Sequence, residues 1–374
     1  GDPLVREAVV VHHDPCGGGG GERVFLNVVE ALHEMGFRVG VVSVDALRDD
    51  CFIRFFGRGV LDKVSWSVSL GVKLGMLGLY KRILTMIPYY VYRRRGLVIN
   101  THGDPLPYLG GAGVIQYIHF PTLALQLRNE YPSKYVSGFW RMYFEPYRFF
   151  MDKVSRYAVD RSIVLTNSNY SREAIRRVYG VDAVVVYPPV DVRRFFCDEE
   201  KEDLVVSLGR LSRDKMHELA LYVARSVREA RFIIMGSTKT SEKGYVDKLR
   251  SMARDLPNVE IIENPSIDQV RDVLCRAKVL LHCMRGEHFG IAIVEAMATG
   301  AVPVTWDLGG PRETVPEKYR FSSISETPMK VREALKASQQ ERDELRRRAW
   351  RFSEERFREK IKRVVEIVSR HHEH

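Results

Sequence analysis

Short apolar runs alternate with amphipathic segments along almost the whole chain, and this alternation limits the fold more than any other feature of the sequence. The first run, EAVVVHH, precedes a glycine loop and the segment ERVFLNVVEALHEMG, in which Val24, Val28, Ala31 and Leu32 recur at helical spacing. The next run, RVGVVSV, has the composition of a second strand. A strand, a helix and another strand in this order predict a parallel sheet.

The strand-like runs form two successive series. The first continues through GLVINT, GVIQYIHF, SIVLTNS and DAVVVYPP, and the second runs from LVVSLGR through RFIIMGS, VEIIE and KVLLHC to AVPVTW. A chain of 374 residues is too long for one ordinary core. We therefore predict an α/β protein of two doubly wound, Rossmann-like domains that face a central cleft. The predicted parts are an N-terminal domain (1–190), a linker (191–203), a C-terminal domain (204–334) and a final helix (335–374) that packs back on the N-terminal domain.

The five cysteines are scattered and form neither a CxxC pair nor a zinc-binding spacing. This pattern predicts buried, reduced thiols and no metal site. No apolar run reaches the roughly 20 residues that a transmembrane helix needs, and no signal-peptide pattern is present at the N-terminus. We therefore expect neither a membrane-spanning helix nor a signal peptide.

The net charge of +10 indicates an anionic partner, and one long basic segment suggests which kind. From Val64 to Gly103 there is no acidic residue, and apolar and aromatic side chains are flanked by cations. This combination is typical of a segment that lies on an anionic membrane surface; the alternative is a helical hairpin whose apolar side belongs to the core. Nucleic-acid binding is disfavoured because no known motif accompanies the charge. The predicted membrane contacts are Lys73, Lys81, Arg82, Arg93, Arg94 and Arg95.

A run of five glycines, in PCGGGGGERV, separates the first strand from the first helix. Backbone amides and the positive end of a helix dipole attract anions at such a place. Because open α/β sheets bind ligands at the carboxyl ends of their strands, Gly19, Gly20 and Gly21 are candidates for close approach to a ligand. The alternative is a flexible surface loop.

The first strand of the second series ends in SLGRLSRDK, which supplies Arg210 and Lys215. An arginine and a lysine at the mouth of a strand suit a diphosphate, which Arg binds in bidentate fashion and Lys as a point charge. The alternative is an ordinary solvated loop. Gly236, at the end of RFIIMGS, lies on the same predicted edge.

Glu287 and Glu295 are separated by seven residues in GEHFGIAIVEAMATG. Glu287 and His288 fall in a loop after a strand, and the following helix starts near Phe289, Gly290 and Ile291, whose amides suit phosphate. Carboxylates accept hydrogen bonds from sugar hydroxyls. The arrangement therefore suits a nucleotide sugar; the alternative is two solvated acids, one of which serves the helix dipole.

Two further segments follow predicted strands. GGPRETV (309–315) opens with glycines and is expected to line the same edge as Glu287. In VIQYIHFP, His119 lies just past a strand of the first series. A histidine there either orients or protonates a substrate, or pairs with a nearby carbonyl.

These strings, in this order, resemble glycosyltransferase family 4, the retaining enzymes of GT-B architecture. The resemblance rests on GGGGERV, YIHFPT, TNSNYSREAI, VYPPVDVRRF, SLGRLSRDK, EHFGIAIVEAMATG and GGPRETV. Within the family, the strings are most similar to alpha-1,2-mannosyltransferases that act on dolichyl-diphosphate-linked oligosaccharides. Arg213 and Asp214 stand where a Pro-Glu pair is common, and the glycine run has one extra residue.

The resemblance implies roles for particular residues. Arg210 and Lys215 would bind the donor diphosphate, Glu295 the ribose, Glu287 the transferred sugar, and His119 would lie beside that sugar. The implied catalytic residues are His119, Glu287, Arg210 and Lys215. The implied donor-binding residues are Gly19, Gly20, Gly21, Arg210, Lys215, Gly236, Glu287, His288, Phe289, Gly290, Ile291 and Glu295.

The resemblance also implies an activity. It is the retaining transfer of mannose from GDP-mannose, in alpha-1,2 linkage, to a lipid-diphosphate-linked oligosaccharide by a peripheral enzyme at the cytoplasmic face of a membrane, with no metal or other cofactor. The alternatives are a UDP-sugar donor, a soluble acceptor, or a non-catalytic nucleotide-sugar-binding scaffold.

Overall fold

A computed structural model describes residues 6–71, 80–92, 96–110, 112–121 and 138–371. The chain divides into two compact units. Unit 1 comprises Gly1–Pro189 together with Glu355–His374, and unit 2 comprises Val190–Glu354. Each unit is built on one parallel sheet, so the predicted pair of doubly wound α/β domains is confirmed. The predicted cleft stays a prediction.

Unit 1 contains a seven-stranded sheet of order β3-β2-β1-β4-β5-β6-β7. Every pairing in it is parallel; Val9, for example, pairs with Gly40 on one side and Val98 on the other. Strand order reverses beside β1, which is where such sheets bind ligands. The strands are β1 Glu7–Val11, β2 Arg38–Ser43, β3 Trp66–Ser69, β4 Leu97–Asn100, β5 Val114–Ile118, β6 Ile163–Thr166 and β7 Val184–Val185. The helices before residue 189 are α1 Gly20–Glu34, α2 Asp49–Phe56, α3 Lys81–Leu84, α4 Met86–Val91, α5 Gly138–Asp160 and α6 Asn169–Tyr179.

Both faces of this sheet are covered by apolar side chains. On one face, Val24, Val28 and Leu32 of α1 are almost completely buried against Val10 of β1, as their helical spacing predicts. On the other face, Val9 and Val11 pack in a second cluster with Tyr147 of α5. Alternate residues of β1 thus point to opposite faces of the sheet, and the strand is almost continuously apolar because both faces are buried.

Unit 2 contains a six-stranded parallel sheet of order β10-β9-β8-β11-β12-β13. Its central strands have apolar, buried middles, and β8 lies between β9 and β11. The strands are β8 Glu202–Leu208, β9 Arg231–Gly236, β10 Val259–Glu263, β11 Ala277–His282, β12 Val302–Trp306 and β13 Arg320–Phe321. The helices are α7 Glu218–Ser226, α8 Lys243–Ala253, α9 Ile267–Arg276, α10 Ile291–Ala298, α11 Pro311–Thr314, α12 Thr327–Leu335 and α13 Gln339–Ala349.

The segment 335–374, predicted as one helix, is divided in the structure. The helix α13 ends at Ala349, a short 3-10 turn follows at Trp350–Phe352, and the last helix, α14, runs over Glu354–His371. The turn breaks the helix because Ser353 is extended, with a ψ of 160°. From Glu355 onward the chain belongs to unit 1, where Phe357 and Ile361 are buried in the core against the sheet.

The prediction of reduced thiols is wrong for four of the five cysteines. Cys16 of the glycine loop is disulfide-bonded to Cys51 of α2 in unit 1, and Cys197 is bonded to Cys275 of α9 in unit 2. The partners are 35 and 78 residues apart in sequence, so no local spacing indicated them. Cys283 is a buried free thiol, and burial raises its pKa to about 12.

Among the helices in the described ranges, none has both the length and the apolar composition that crossing a membrane requires.

Candidate functional site

The loop after β8 is fixed to the neighbouring strand by its backbone. The amide of Gly209 donates to the carbonyl of Met235 at 3.1 Å, and the amide of Leu211 donates to Ser237 at 2.9 Å. His217, only 1% exposed, bonds the carbonyl of Arg210 through Nε2 at 2.9 Å and Ser207 through Nδ1 at 2.9 Å. The backbone of Arg210 is therefore held from two sides.

Gly236 is a glycine for a steric reason. A Cβ at this position would lie 1.6 Å from the carbonyl oxygen of Gly209 and 3.3 Å from the amide of Arg210. The end of β9 can approach the Arg210 loop this closely only without a side chain. Gly236, predicted to contact the donor, thus shapes the loop that carries Arg210.

Glu287 is held as a carboxylate in the loop after β11. His282 Nε2 donates to Glu287 Oε2 at 3.0 Å, and the amide of His288 donates to Oε1 at 3.1 Å. Burial raises the pKa of this carboxyl, but the hydrogen bond and charge of His282 and the charge of Lys215 outweigh it and lower the pKa to about 2. Each carboxylate oxygen keeps a lone pair for a further hydrogen bond.

The two loops carrying the predicted donor-binding cations and acids meet within unit 2. Lys215 Nζ lies 4.0 Å from Glu287 Oε2 and 3.3 Å from the sulfur of Met284. Arg210 is more exposed: its guanidinium pairs with Asp214 at 3.5 Å, and each side chain is about half exposed. Arg210 is thus free to exchange a solvated partner for an anion, whereas Lys215 is already directed at the Glu287 loop.

Glycines bring the GGP segment against the loop of Glu287. The amide of Gly310 donates to the carbonyl of Glu287 at 2.8 Å. A Cβ on Gly309, which has a φ of +79°, would lie 2.3 Å from that carbonyl oxygen, and one on Gly310 would lie 2.4 Å from the His288 oxygen. The 309–315 segment therefore packs on the Glu287 loop, as expected from the sequence.

The helix α10 begins directly after this loop. Gly290 precedes it with a φ of +94°, and no side chain caps its first amides. The amide of Ile293 donates to the carbonyl of Gly290 at 3.1 Å, which leaves the amides of Ile291 and Ala292 as the donors without an intrahelical acceptor. Phe289 is buried and packs edge-on against Phe352, with 5.5 Å between the ring centroids. Glu295 lies on α10 as a half-buried residue between buried Val294 and Ala296.

In unit 1, His119 lies just past β5, as predicted. Its Nε2 donates to the carbonyl of Thr101 at 3.2 Å, and burial lowers its pKa to about 4. The imidazole is consequently neutral near pH 7, and Nδ1 is left as a hydrogen-bond acceptor. This geometry favours orientation of a hydroxyl group over its protonation.

The glycine loop of unit 1 is held by Glu22, an acidic residue that was not predicted to be functional. Glu22 Oε2 accepts from the amide of Gly19 at 3.2 Å, while Oε1 lies 3.8 Å from His12 Nε2. Burial raises the pKa of Glu22, but the neighbouring His12 outweighs it and the net shift is downward. His12, 1% exposed, bonds Thr101 Oγ1 through Nδ1 at 2.9 Å. A Cβ added to Gly21 would lie 3.5 Å from His119 Nε2.

Two of the predicted membrane contacts have structural partners instead. Lys81, with 14% of its side chain exposed, lies 2.5 Å from Asp45, and Arg82 lies 3.1 Å from Asp104. Their charges are neutralised by these carboxylates, so the structure does not support a membrane role for them. Lys73, Arg93, Arg94 and Arg95 lie outside the described residues.

Sequence reasoning missed the residues that hold the predicted ones in place. His282 is the last residue of β11, where an apolar run gave no reason to select it. His217, His12 and Glu22 were missed because each acts on a backbone group or on another side chain. The GER string after the glycines was the one available signal for Glu22.

Two family models together match almost all of the chain. The model described as Glycosyltransferase Family 4 matches residues 18–194, and the model described as Glycosyl transferases group 1 matches residues 193–352. The boundary between the two matches falls close to the boundary between unit 1 and unit 2.

Curated relatives are about a quarter identical to this chain over the aligned segments. A protein of Dictyostelium discoideum named GDP-Man:Man(3)GlcNAc(2)-PP-Dol alpha-1,2-mannosyltransferase is 26% identical over 67% of this chain and 57% of its own length. Proteins of the same name from Mus musculus and Caenorhabditis elegans are 29% and 24% identical, over 55% and 72% of this chain and 48% and 68% of their own. The chain thus spans only about half to two thirds of these relatives.

Solved structures share the fold at low identity. Sucrose-phosphate synthase from Thermosynechococcus elongatus superposes with a TM-score of 0.72 at 12% identity, over 96% of this chain and 98% of its own. Anabaena HepE in complex with UDP and glucose gives 0.68 at 14%, and the lipopolysaccharide glycosyltransferase WaaG gives 0.65 at 14%, each over 96% of this chain and 99% of its own. These likenesses confirm the GT-B fold.

Proposed function

Because the chain belongs to glycosyltransferase family 4, we propose that it is a retaining hexosyltransferase that moves mannose from GDP-mannose to a lipid-diphosphate-linked oligosaccharide, in alpha-1,2 linkage. The names of the curated relatives support this donor and this acceptor. Their identity to this chain is moderate, so the residues of the site must carry the argument for activity.

The observation that carries the proposal is the arrangement of charge at the carboxyl edge of the unit 2 sheet. Arg210 and Lys215 supply two cations, and the first amides of α10 supply uncapped donors, as a diphosphate requires. Glu287 is kept ionised beside them and can accept hydrogen bonds from the transferred sugar. Glu295 is assigned to the ribose hydroxyls.

The proposed reaction needs no protein nucleophile. The bond between the anomeric carbon and the diphosphate oxygen breaks, the acceptor hydroxyl oxygen bonds to the same face, and its proton passes to the departing phosphate. Arg210 and Lys215 stabilise the negative charge that develops on the leaving diphosphate. Glu287, bound by His282, remains a hydrogen-bond acceptor throughout.

For unit 1 we assign His119 and the glycine loop to the sugar and the acceptor. A neutral His119 with Nδ1 as acceptor suits a hydroxyl group, and Gly21, in the first turn of α1, lies close to that imidazole. Glu22 and His12 hold the loop in place and are positioning residues.

We assign membrane contact at the cytoplasmic face to an apolar surface of unit 1. Ile87 and Val91 of α4 and Phe139, Met142 and Phe149 of α5 are between 51% and 75% exposed. The two helices are adjacent, because Met86 packs in the same cluster as Phe144 and Tyr147. Exposed apolar side chains in such number mark an interaction surface.

The donor assignment is tested by calorimetric titration of the full chain with GDP, UDP, GDP-mannose and UDP-glucose. Preference for the guanosine ligands, followed by mannose transfer to an extracted lipid-linked oligosaccharide, is the expected result. Preference for the uridine ligands would support a glycosyltransferase that uses a UDP-sugar donor instead of GDP-mannose. Absence of binding to all four would favour a non-catalytic scaffold.

The membrane assignment is tested by sedimentation with anionic vesicles. Met142→Ser and Phe149→Ser together should reduce vesicle binding, whereas Ile53→Ser on α2, an equally exposed apolar position at 55%, should not. If the two variants bind vesicles equally well, α5 is not part of the membrane-contact surface.

A further inference from the structure

A second group of cations in unit 2 shares no residue with the donor site. A cavity of about 450 Å³ lies between the helix α13 and the segment around Tyr319, next to the edge strand β13. Cations outnumber acids four to two among its lining residues, which are Pro316, Lys318, Tyr319, Glu341, Glu344, Leu345, Arg347, Arg348 and Arg351.

The arginines of α13 fall into two classes. Arg342 and Arg346 face the interior, where Arg342 donates to the carbonyls of Lys278 and Gly300 at 2.7 and 3.0 Å, and Arg346 pairs with Asp343 at 2.7 Å. Both guanidinium groups thus have acceptors for their terminal nitrogens, although Arg346 Nε has none in the described part of the chain. Their function is structural.

Arg348 has no such partners. Its Nε is shielded from solvent and has no hydrogen-bond acceptor within the described part of the chain. Burial lowers the pKa of Arg348, and the neighbouring charges of Arg351 and Arg320 lower it further. Like charges held together without an acid are unfavourable, so this group is stabilised when an anion is present.

The acids at the cavity do not neutralise these arginines. Glu341 is already bound by Lys318 Nζ and the Tyr319 hydroxyl, each at 2.9 Å. Glu344 lines the cavity as an exposed side chain and forms no ion pair with these arginines in the part of the chain that the structure describes. Within the described ranges, no ion pair joins Arg347, Arg348 or Arg351 to a carboxylate.

We infer that this cavity is a second anion site, which binds a phosphate group through Arg348 and Arg351, with Arg347 at its rim. Guanidinium groups bind phosphate in bidentate fashion, and three of them around one cavity match a doubly charged group. Tyr319 and Leu345, 2% and 3% exposed, give the cavity an apolar floor that suits the organic part of a phosphate ester. The phosphate belongs either to a soluble ester or to a phospholipid headgroup.

The test separates this cavity from the donor site. In a full-length background carrying Arg210→Ala and Lys215→Ala, inorganic pyrophosphate is titrated calorimetrically at low salt. One site should remain, and adding Arg348→Gln and Arg351→Gln should weaken it by at least about tenfold. Arg254→Gln, an exposed arginine just after α8, is the matched control and should change nothing.

A second arm identifies the source of the phosphate. The same proteins are sedimented with phosphatidylcholine vesicles that contain or lack phosphatidic acid. Arginine-dependent binding of pyrophosphate alone indicates a soluble ester, and arginine-dependent binding to the acidic vesicles indicates a headgroup. If neither depends on Arg348 and Arg351, or if no site remains in the background, the inference is overturned. Should the Arg348 variant fail to fold, the exposed pair Arg347→Gln and Arg351→Gln takes its place.

Discussion

The two sheets are built alike, yet their carboxyl edges are held in different ways. In unit 2, backbone approach fixes the loops: Gly236 and Gly309 lie where no side chain fits. In unit 1, side chains fix the loop: Glu22 binds the amide of Gly19, and a disulfide anchors Cys16. The unit 2 edge presents charged side chains such as Glu287, and the unit 1 edge presents a neutral histidine, His119. In the proposed reaction, the charged edge would receive the leaving diphosphate and the neutral edge the hydroxyl groups.

The largest expected effect comes from adding a methyl group where the backbones touch. Gly236→Ala should lower the free energy of unfolding by about 3 kcal/mol and displace the Arg210 loop, because its Cβ would overlap the Gly209 carbonyl. Gly21→Ala in unit 1 should change stability by less than about 0.5 kcal/mol, since its nearest neighbours lie at ordinary contact distance. Urea unfolding measures both.

Gly244→Ala is the control, because a Cβ there meets nothing within 4 Å. If Gly236→Ala is as stable as this control, the steric account of the unit 2 edge fails. If Gly21→Ala keeps its stability but loses transfer activity, ligand approach to the glycine loop is supported.

The next effect concerns charge at the unit 2 edge. Glu287→Gln keeps the shape of the side chain but removes the anion that His282 and Lys215 surround. We expect kcat/KM for sugar transfer to fall about 100-fold, or ~2.7 kcal/mol in transition-state stabilisation. Glu317→Gln, at an exposed position of the same unit, should leave the rate unchanged. A Glu287→Gln enzyme of normal activity would contradict the assigned role.

A smaller effect is expected from the side-chain anchor in unit 1. Glu22→Ala removes the acceptor of the Gly19 amide and the partner of His12, and should cost about 1–2 kcal/mol of unfolding free energy. Glu366→Ala, exposed on α14 of the same unit, should be neutral. Equal midpoints in urea for the two variants would mean that the disulfide alone holds the loop.

The smallest effect is a pH dependence. Burial lowers the pKa of His119 to about 4, so the unfolded chain binds its proton first as the pH falls from 6.5 towards 4. The stability that neutral His119 contributes is therefore present above pH 6.5 and is lost through that window. His119→Asn should make the unfolding free energy depend less on pH over this window than it does in the unchanged protein. The pKa of Glu287 is lowered to about 2, so the stability that its carboxylate contributes is lost at lower pH, between 4.5 and 2.

Sequence predicted the parts of the fold that depend on long apolar runs. All the long strands of both sheets were identifiable, because strands buried on both faces are almost wholly apolar. The edge strands Trp66–Ser69 and Arg320–Phe321 were not, since neither contains a run of apolar residues. The edge strand Val184–Val185 is also short, but it lies within the apolar run of DAVVVYPP.

The site was predictable where a residue type at a strand end suggests its own chemistry. His119 directly follows β5, and Glu287 and Lys215 lie in the segments that follow β11 and β8, as their positions indicated. Their supports were not predictable: His282 is hidden at the end of an apolar strand, and the contact of Gly236 with Gly209 joins residues 27 positions apart only once the sheet forms. Such contacts depend on tertiary geometry, which periodicity does not encode.

The chain leaves unit 1 at Pro189 and returns to it at Glu355. During synthesis from the N-terminus, the core around Leu32 and Leu97 therefore lacks Phe357 and Ile361 until all of unit 2 has been added. Unit 2 is continuous in sequence and is complete before that helix exists. Unit 2 can thus fold before unit 1 is complete, and until α14 is added the N-terminal half exposes an apolar face that favours aggregation.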